Sequence, residues 1–238
     1  MKRPGTFMTA EWKNLLMLNY SVDGSMLESF VPAGTELDAF DGTYYVSLVG
    51  FEFNRSRVFG MAIPFHQAFE EVNLRFYVRR GEKRGVVFIR EFVPKLAVSM
   101  LARLLYNENY SYAPMSHRIF TDTAADTVDA EYVWGSARAR CSMRIGTEGA
   151  NFLPPEGSLS QFITEHYWGY SRQPNGRSLE YEVRHPRWNV RNAKHAAFPG
   201  EAANLYGTAF GEVLTREPDS AFVADGSAVS IHFGTRIV

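Results

Sequence analysis

The chain has 238 residues, 45% hydrophobic and 21% charged, ordinary proportions for a globular protein able to bury a sizeable core. Its 25 Lys and Arg against 26 Asp and Glu leave a net charge of −1, so no global field draws it onto nucleic acid or an anionic membrane surface. A single cysteine, no continuous apolar core of a secretion signal and no window approaching the ~20 apolar residues of a membrane span lead to the expectation of a cytoplasmic protein, and the absence of a linker-like run or repeat to that of one domain over 1–238.

In chain order, Thr9 is a candidate cap for a short opening turn, and the apolar run Leu15 to Tyr20 reads as a strand buried on both sides. Asp23 is placed to cap a small helix with Met26, Leu27 and Phe30 on its apolar stripe, ended by Val31-Pro32-Ala33-Gly34. Thr43 to Phe53 is a strand dense in aromatic and β-branched residues, and Pro64 interrupts the piece from Val58 to Phe65. From Glu71 to Arg79 the pattern has period two: Val72, Leu74, Phe76 and Val78 share one face, and Glu71, Asn73, Arg75 and Tyr77 share the other. A turn over Arg80 to Gly85 leads to a second strand, Val86 to Glu91, ending on Arg90 and Glu91. Pro94 fits the first position of a helix running to Tyr106, whose wheel gathers Leu96, Ala97, Met100, Leu101, Leu104 and Leu105 on a core-facing stripe and leaves Lys95 on the far side.

Ser111 to Phe120, with its proline, reads as an edge strand, and Val128 to Trp134 with Ala137 to Ile145 as a hairpin. In the latter strand Arg138, Arg140 and Arg144 alternate with small apolar residues; a solvated sheet face is the default for such a pattern and an anion site the alternative. Ser158 followed by Gln161 has the form of a capping box opening a short helix. Pro174-Asn175-Gly176 turns between Trp168 to Arg172 and Leu179 to His185, Asn189 to Phe198 is a further strand, and Ala202 to Tyr206 a helical turn. Asp225-Gly226 is expected to join two final strands, Ala221 to Ala224 and Ser227 to Phe233, as a hairpin. Strands outnumber helices, so the expected class is α+β, mostly antiparallel β, with a closed or nearly closed barrel and a few peripheral helices.

The chain contains no G-x-G-x-x-G, no G-x-x-x-x-G-K-[ST], no G-x-S-x-G and no H-E-x-x-H, which argues against nucleotide enzymes, serine hydrolases and zinc peptidases. The six histidines show no ligand-like spacing, so no metal and no cofactor is expected, and Cys141 among small apolar residues reads as a buried, inert thiol. The segments FMTAEWKNLLMLNYSVD, VPAGTELDAFDGTYYVSLVGF, FEEVNLRFYVRR, GVVFIREFVPK and FITEHYWGYSRQ, in fixed order over nearly the whole chain, resemble the YqjF-like family of uncharacterised bacterial proteins. That family is similar in fold to acetoacetate decarboxylase, a conical, largely antiparallel barrel around a pocket. The decarboxylases use a lysine of a Pro-Lys-Lys segment, after a strand ending in Arg-Glu, as Schiff-base nucleophile; here Arg90-Glu91-Phe92-Val93-Pro94-Lys95-Leu96 puts Lys95 at that position and Leu96 in place of the second, charge-supplying lysine.

In a barrel one strand face points inward, and Glu71, Asn73, Arg75 and Tyr77 are the expected interior set, with Arg90 at the strand end and Glu165 on the later helix as further candidates. Two functional readings follow. In the first the pocket binds a small carboxylate or carbonyl ligand through Arg75, Asn73, Tyr77 and Arg90, because a guanidinium fork suits a carboxylate. In the second the protein is a decarboxylase-like lyase acting on a β-keto acid, with Lys95 as nucleophile, Arg75 orienting the carboxylate and Glu71 moving protons. A protein–protein module without a ligand is a third reading, and neither excludes a homo-oligomer.

Overall fold

The computed structural model describes residues 5–98, 100, 107–137 and 139–238. The first half contains β1 (Thr6–Val22), two single 3-10 turns, β2 (Glu36–Leu37), β3 (Tyr44–Val58), β4 (Met61–Ala62), β5 (Phe69–Arg80), β6 (Lys83–Val93), β7 (Tyr110–Tyr112) and β8 (Met115–Asp122). The second half contains β9 (Thr127–Ser136), β10 (Ala139–Thr147), α1 (Leu159–Thr164), β11 (Trp168–Arg172), β12 (Ser178–Arg184), β13 (Val190–Ala197), α2 (Ala202–Tyr206), α3 (Thr208–Leu214), β14 (Ser220–His232) and β15 (Thr235–Ile237). Hydrogen-bonded neighbours run β15-β12-β11-β6-β5-β3-β1-β14-β13-β10-β9-β8. The pairings are antiparallel except where β11 and β7 run parallel to β6. β12 also pairs β14, through Val183 with Ile231 and Arg184 with Ser230.

Local chemistry explains several of these elements. Ser158 accepts a hydrogen bond from the Gln161 N–H while the Gln161 side chain accepts one from Gly157 N, so the start of α1 is capped on both sides. Asp23 caps the first 3-10 turn by accepting from Ser25 N. Gly176, at φ +80°, closes the turn between β11 and β12.

Three expectations are corrected and one element is added. Thr9 lies inside β1, a strand of 17 residues held on one side by β3 and on the other by β14. Asp225-Gly226 does not end a strand: β14 runs through it, paired with β1 from Thr6 to Asn19. Leu96 and Met100, expected on a core-facing stripe, are 60% and 63% exposed, while residues 101–106 and Ser99 of the expected helix lie outside the described residues. A second late helix, α3, follows α2 directly, its N-cap Gly207 at φ +83° supplying the break.

The central strands carry a core on each face. On one face Leu16 and Leu18 of β1, Leu48 of β3, and Val72, Leu74, Phe76 and Val78 of β5 pack against Tyr132, Trp134 and Met143 of β9 and β10 and against α2 and α3. Gly50 permits the close approach, because a Cβ there would meet the Met143 sulfur at 2.8 Å. The other face is walled by Phe51, Phe53, Phe69, Val86, Phe162 and Trp188.

Candidate functional site

That second face encloses a cavity of about 200 Å³. Its walls are mainly aromatic and aliphatic, and its polar lining comes from β3 (Ser56), the segment before β5 (His66), β5 (Glu71, Asn73, Arg75), the residues entering β7 (Glu108, Tyr110), the end of α1 with the segment after it (Thr164, His166), β12 (Tyr181) and the residue after β12 (His185). The alternation of β5 is what brings Glu71, Asn73 and Arg75 to one side, opposite the four aliphatic and aromatic residues buried under the helices.

Glu71 is 3% exposed; one carboxyl oxygen accepts from Asn73 Nδ2 at 2.9 Å and the other from the Tyr110 hydroxyl at 3.0 Å. Burial pushes its pKa up to about 7, against the opposing pull of those two hydrogen bonds and of Arg75. Glu108 accepts from the Tyr181 hydroxyl, and burial raises its pKa to about 8. Glu91, fully buried behind them, is held well above the ordinary carboxylate range by burial and then by repulsion from Glu108 and Glu71. The cluster thus holds neutral or proton-sharing carboxyls close to neutral pH, where an isolated glutamate would be ionised.

Arg75 donates from Nη2 to the Ile163 carbonyl at 3.2 Å, and its Nε has no hydrogen-bond partner among the described residues. It is the one lysine or arginine among the described lining residues. On the adjoining wall, His166 Nε2 lies 3.5 Å from Asp38 Oδ2, and Arg84 Nε donates to the same oxygen at 2.7 Å. Burial draws the His166 pKa down to about 4 despite Asp38, so the imidazole is neutral. Burial raises Asp38, but the facing His166 ring and the Arg84 hydrogen bond together outweigh it and leave the carboxyl below its ordinary value.

Other candidates lie elsewhere. Tyr77 shares the buried face of β5 but does not line the cavity: its hydroxyl is 2.5 Å from Ser47 Oγ, and Phe162 of α1 and His166 cover its ring at 5.2 and 4.5 Å. Arg90 does not line it either. A register shift between Leu74 and Arg75, whose β6 partners are Arg90 and Phe88, inserts Ile89 as an extra residue; Arg90 then bonds Asn109 at 3.2 Å and sits 5.6 Å from the ring of Phe92, a residue of the opposite core. Lys95 is half-buried and absent from the lining, where the neighbouring residues Ala97 and Val98 stand instead. Glu165 pairs with Arg187. Arg140 and Arg144 are exposed, Arg144 bonding Asp129 at 3.0 Å, and Arg138 lies outside the described residues. Cys141 is buried, which pushes its thiol up to about 11. Glu108, Tyr110, Thr164, His166 and Tyr181 were not legible as site residues, since no local pattern marks their side chains and each meets the cavity only through the fold. Among the described residues no group of three or more His, Cys, Asp or Glu is placed to hold a metal, and no helix is long and apolar enough to cross a membrane.

Comparisons with known proteins agree with this architecture. A structure of the enduracididine biosynthesis enzyme MppR complexed with pyruvate superposes with a TM-score of 0.71 at 13% identity, over 99% of this chain and 91% of that one. An acetoacetate decarboxylase-like enzyme from Sphingomonas wittichii RW1 gives 0.68 at 14% identity, over 98% and 94%, and acetoacetate decarboxylase from Legionella pneumophila 0.67 at 12%, over 100% and 90%. At such identities the likeness is one of fold. In sequence, the chain is 30% identical to the uncharacterized protein YqjF of Bacillus subtilis (strain 168) over 189 residues, 79% of this chain and 76% of the relative. A family model described as an uncharacterized conserved protein matches residues 9–228, and the chain therefore belongs to that family, DUF2071.

Proposed function

We propose that this protein binds a small molecule bearing a carboxylate or carbonyl in the cavity beside β5, and that the β12–β14 pairing closes the sheet into a conical barrel around it. The observation that carries the reading is Arg75: the one lysine or arginine side chain among the described residues lining a mainly apolar cavity, with a single direct hydrogen bond, to Ile163 O, among the described residues. A cation so placed has donors to spare, and a carboxylate is the anion its planar fork fits. The neighbouring neutral carboxyls of Glu71 and Glu108 supply hydrogen-bond donors for a carbonyl oxygen, and a pKa near 7 lets Glu71 exchange a proton with a bound ligand. Pyruvate, which MppR holds in its own complex, is a ligand of this class. Schiff-base chemistry at Lys95 draws no support from this geometry, because the side chain is not among those lining the cavity.

Calorimetric titration with pyruvate, acetoacetate and butyrate tests the proposal. At least one should bind saturably, and Arg75→Met should weaken it by about 10- to 100-fold, the loss of one charge-assisted contact, with the melting temperature little changed. Binding that survives Arg75→Met undiminished, or failure of these three and of longer-chain acids alike to bind, would remove the basis of this reading.

A further inference from the structure

The cavity has a mouth, and its surroundings are apolar. Of the described lining residues only Ile63 and Ala97 are exposed; the rest are buried or half-buried, so the opening lies between the stretch from Met61 to His66 and the helical stretch that begins at Leu96 after β6. Those same two segments carry much of the exposed apolar surface of the molecule: Met61 at 62% and Phe65 at 89% on one, Leu96 and Met100 on the other. Single exposed hydrophobic side chains need no explanation, but these four stand within three positions of the two residues that open the cavity. The lining residue Phe7 also packs its ring edge-on at 5.4 Å against the exposed ring of Phe59. Inside, the walls are mainly aromatic and aliphatic, with Ser56, His66, Thr164, His166 and His185 as further polar residues, and Arg75 is the one lysine or arginine among the described lining residues, so an anionic head is drawn there and the body of the ligand meets largely apolar walls.

We infer that the ligand is amphipathic, a carboxylate whose head is held at Arg75 and whose unbranched alkyl chain leaves the cavity between Ile63 and Ala97 and lies along Met61, Phe65, Leu96 and Met100. The inference rests on the carboxylate reading of the cavity and adds the class of ligand: a medium- or long-chain acid, or its keto derivative, rather than a two- to four-carbon one.

The test is a series of titrations with butyrate, hexanoate, octanoate, decanoate and dodecanoate, each below its aggregation concentration, with dodecylamine as the head-group control. Burial of a methylene corresponds to about fourfold in affinity, so a chain half-covered by the exposed residues should tighten binding about twofold to fourfold per methylene through the longer members. Met61→Ser with Phe65→Ser, both at exposed positions, should weaken decanoate about tenfold and leave butyrate unchanged. A flat series beyond hexanoate, or an equal loss for every chain length in the double variant, overturns the inference and leaves the carboxylate site standing. Equal binding of dodecylamine also overturns it, as a merely greasy surface. Failure of every acid in the series removes the carboxylate site and this inference together.

Discussion

At Glu71 the cost of placing a carboxyl in an apolar cavity becomes a dependence of stability on pH. Its folded pKa of about 7 exceeds the value of 4.5 it has outside the fold, so the folded protein binds this proton more tightly. Its contribution to stability is fully present below about pH 4.5 and is lost as the pH rises through about 7. Denaturant unfolding at pH 5 and pH 8 should show the wild type losing stability between them, on the order of 3 kcal/mol from this group when it is fully ionised. Glu71→Gln keeps an acceptor for Tyr110 and removes the titration, so its stability should fall less over the same interval. Parallel losses in both proteins would exclude Glu71 as the source. Sequence reading reached Glu71, Asn73 and Arg75 because strand alternation groups them, and stopped short of Glu108 and Tyr181, whose hydroxyl-to-carboxylate bond spans 73 positions.

The element that departs most from its local pattern is β14. Asp-Gly between two apolar runs is a hairpin signal because glycine adopts φ > 0 freely, and Gly226 does stand at φ +77°. Here the same conformation bends one strand instead: the β1 register passes from Lys13 with Gly226 to Leu15 with Ala224, and Asn14 opposite is itself at φ +53°. A Cβ at Gly226 would stand 2.1 Å from the Trp12 carbonyl oxygen, so the backbone approach requires glycine. Gly226→Ala should cost about 2 kcal/mol or more, through strain at positive φ and displacement of β1, read as a lowered midpoint in urea. A midpoint unchanged by the substitution would mean that the bend carries no such constraint. In the helical stretch after β6 it is Ala97 and Val98 that line the cavity, while Leu96 and Met100 are exposed.

For the whole molecule, the two cores lie on opposite faces of the same strands, β1, β3, β5 and β6, so neither persists once those strands separate. β12 adds a second tie, pairing β11 on one side and β14 on the other. We propose on these grounds that the chain unfolds as one cooperative unit. Calorimetry should give a single endotherm with equal van't Hoff and calorimetric enthalpies, and two resolved transitions would divide the molecule into separate domains.

Strand content, the capping of α1, the turn at Pro174-Asn175-Gly176 and the two-faced character of β5 were determined by the sequence itself. Each depends on residues within a few positions of one another, acting through backbone geometry and side-chain periodicity. Periodicity separates two faces but does not say which one meets a cavity. That was decided by the tertiary structure, which set β9, β10, α2 and α3 against Val72, Leu74, Phe76 and Val78 and left the polar face of β5 to meet Glu108, Tyr110 and His166. The extra residue in β6 that turns Arg90 to the opposite core is likewise a property of the pairing of two strands, not of either alone.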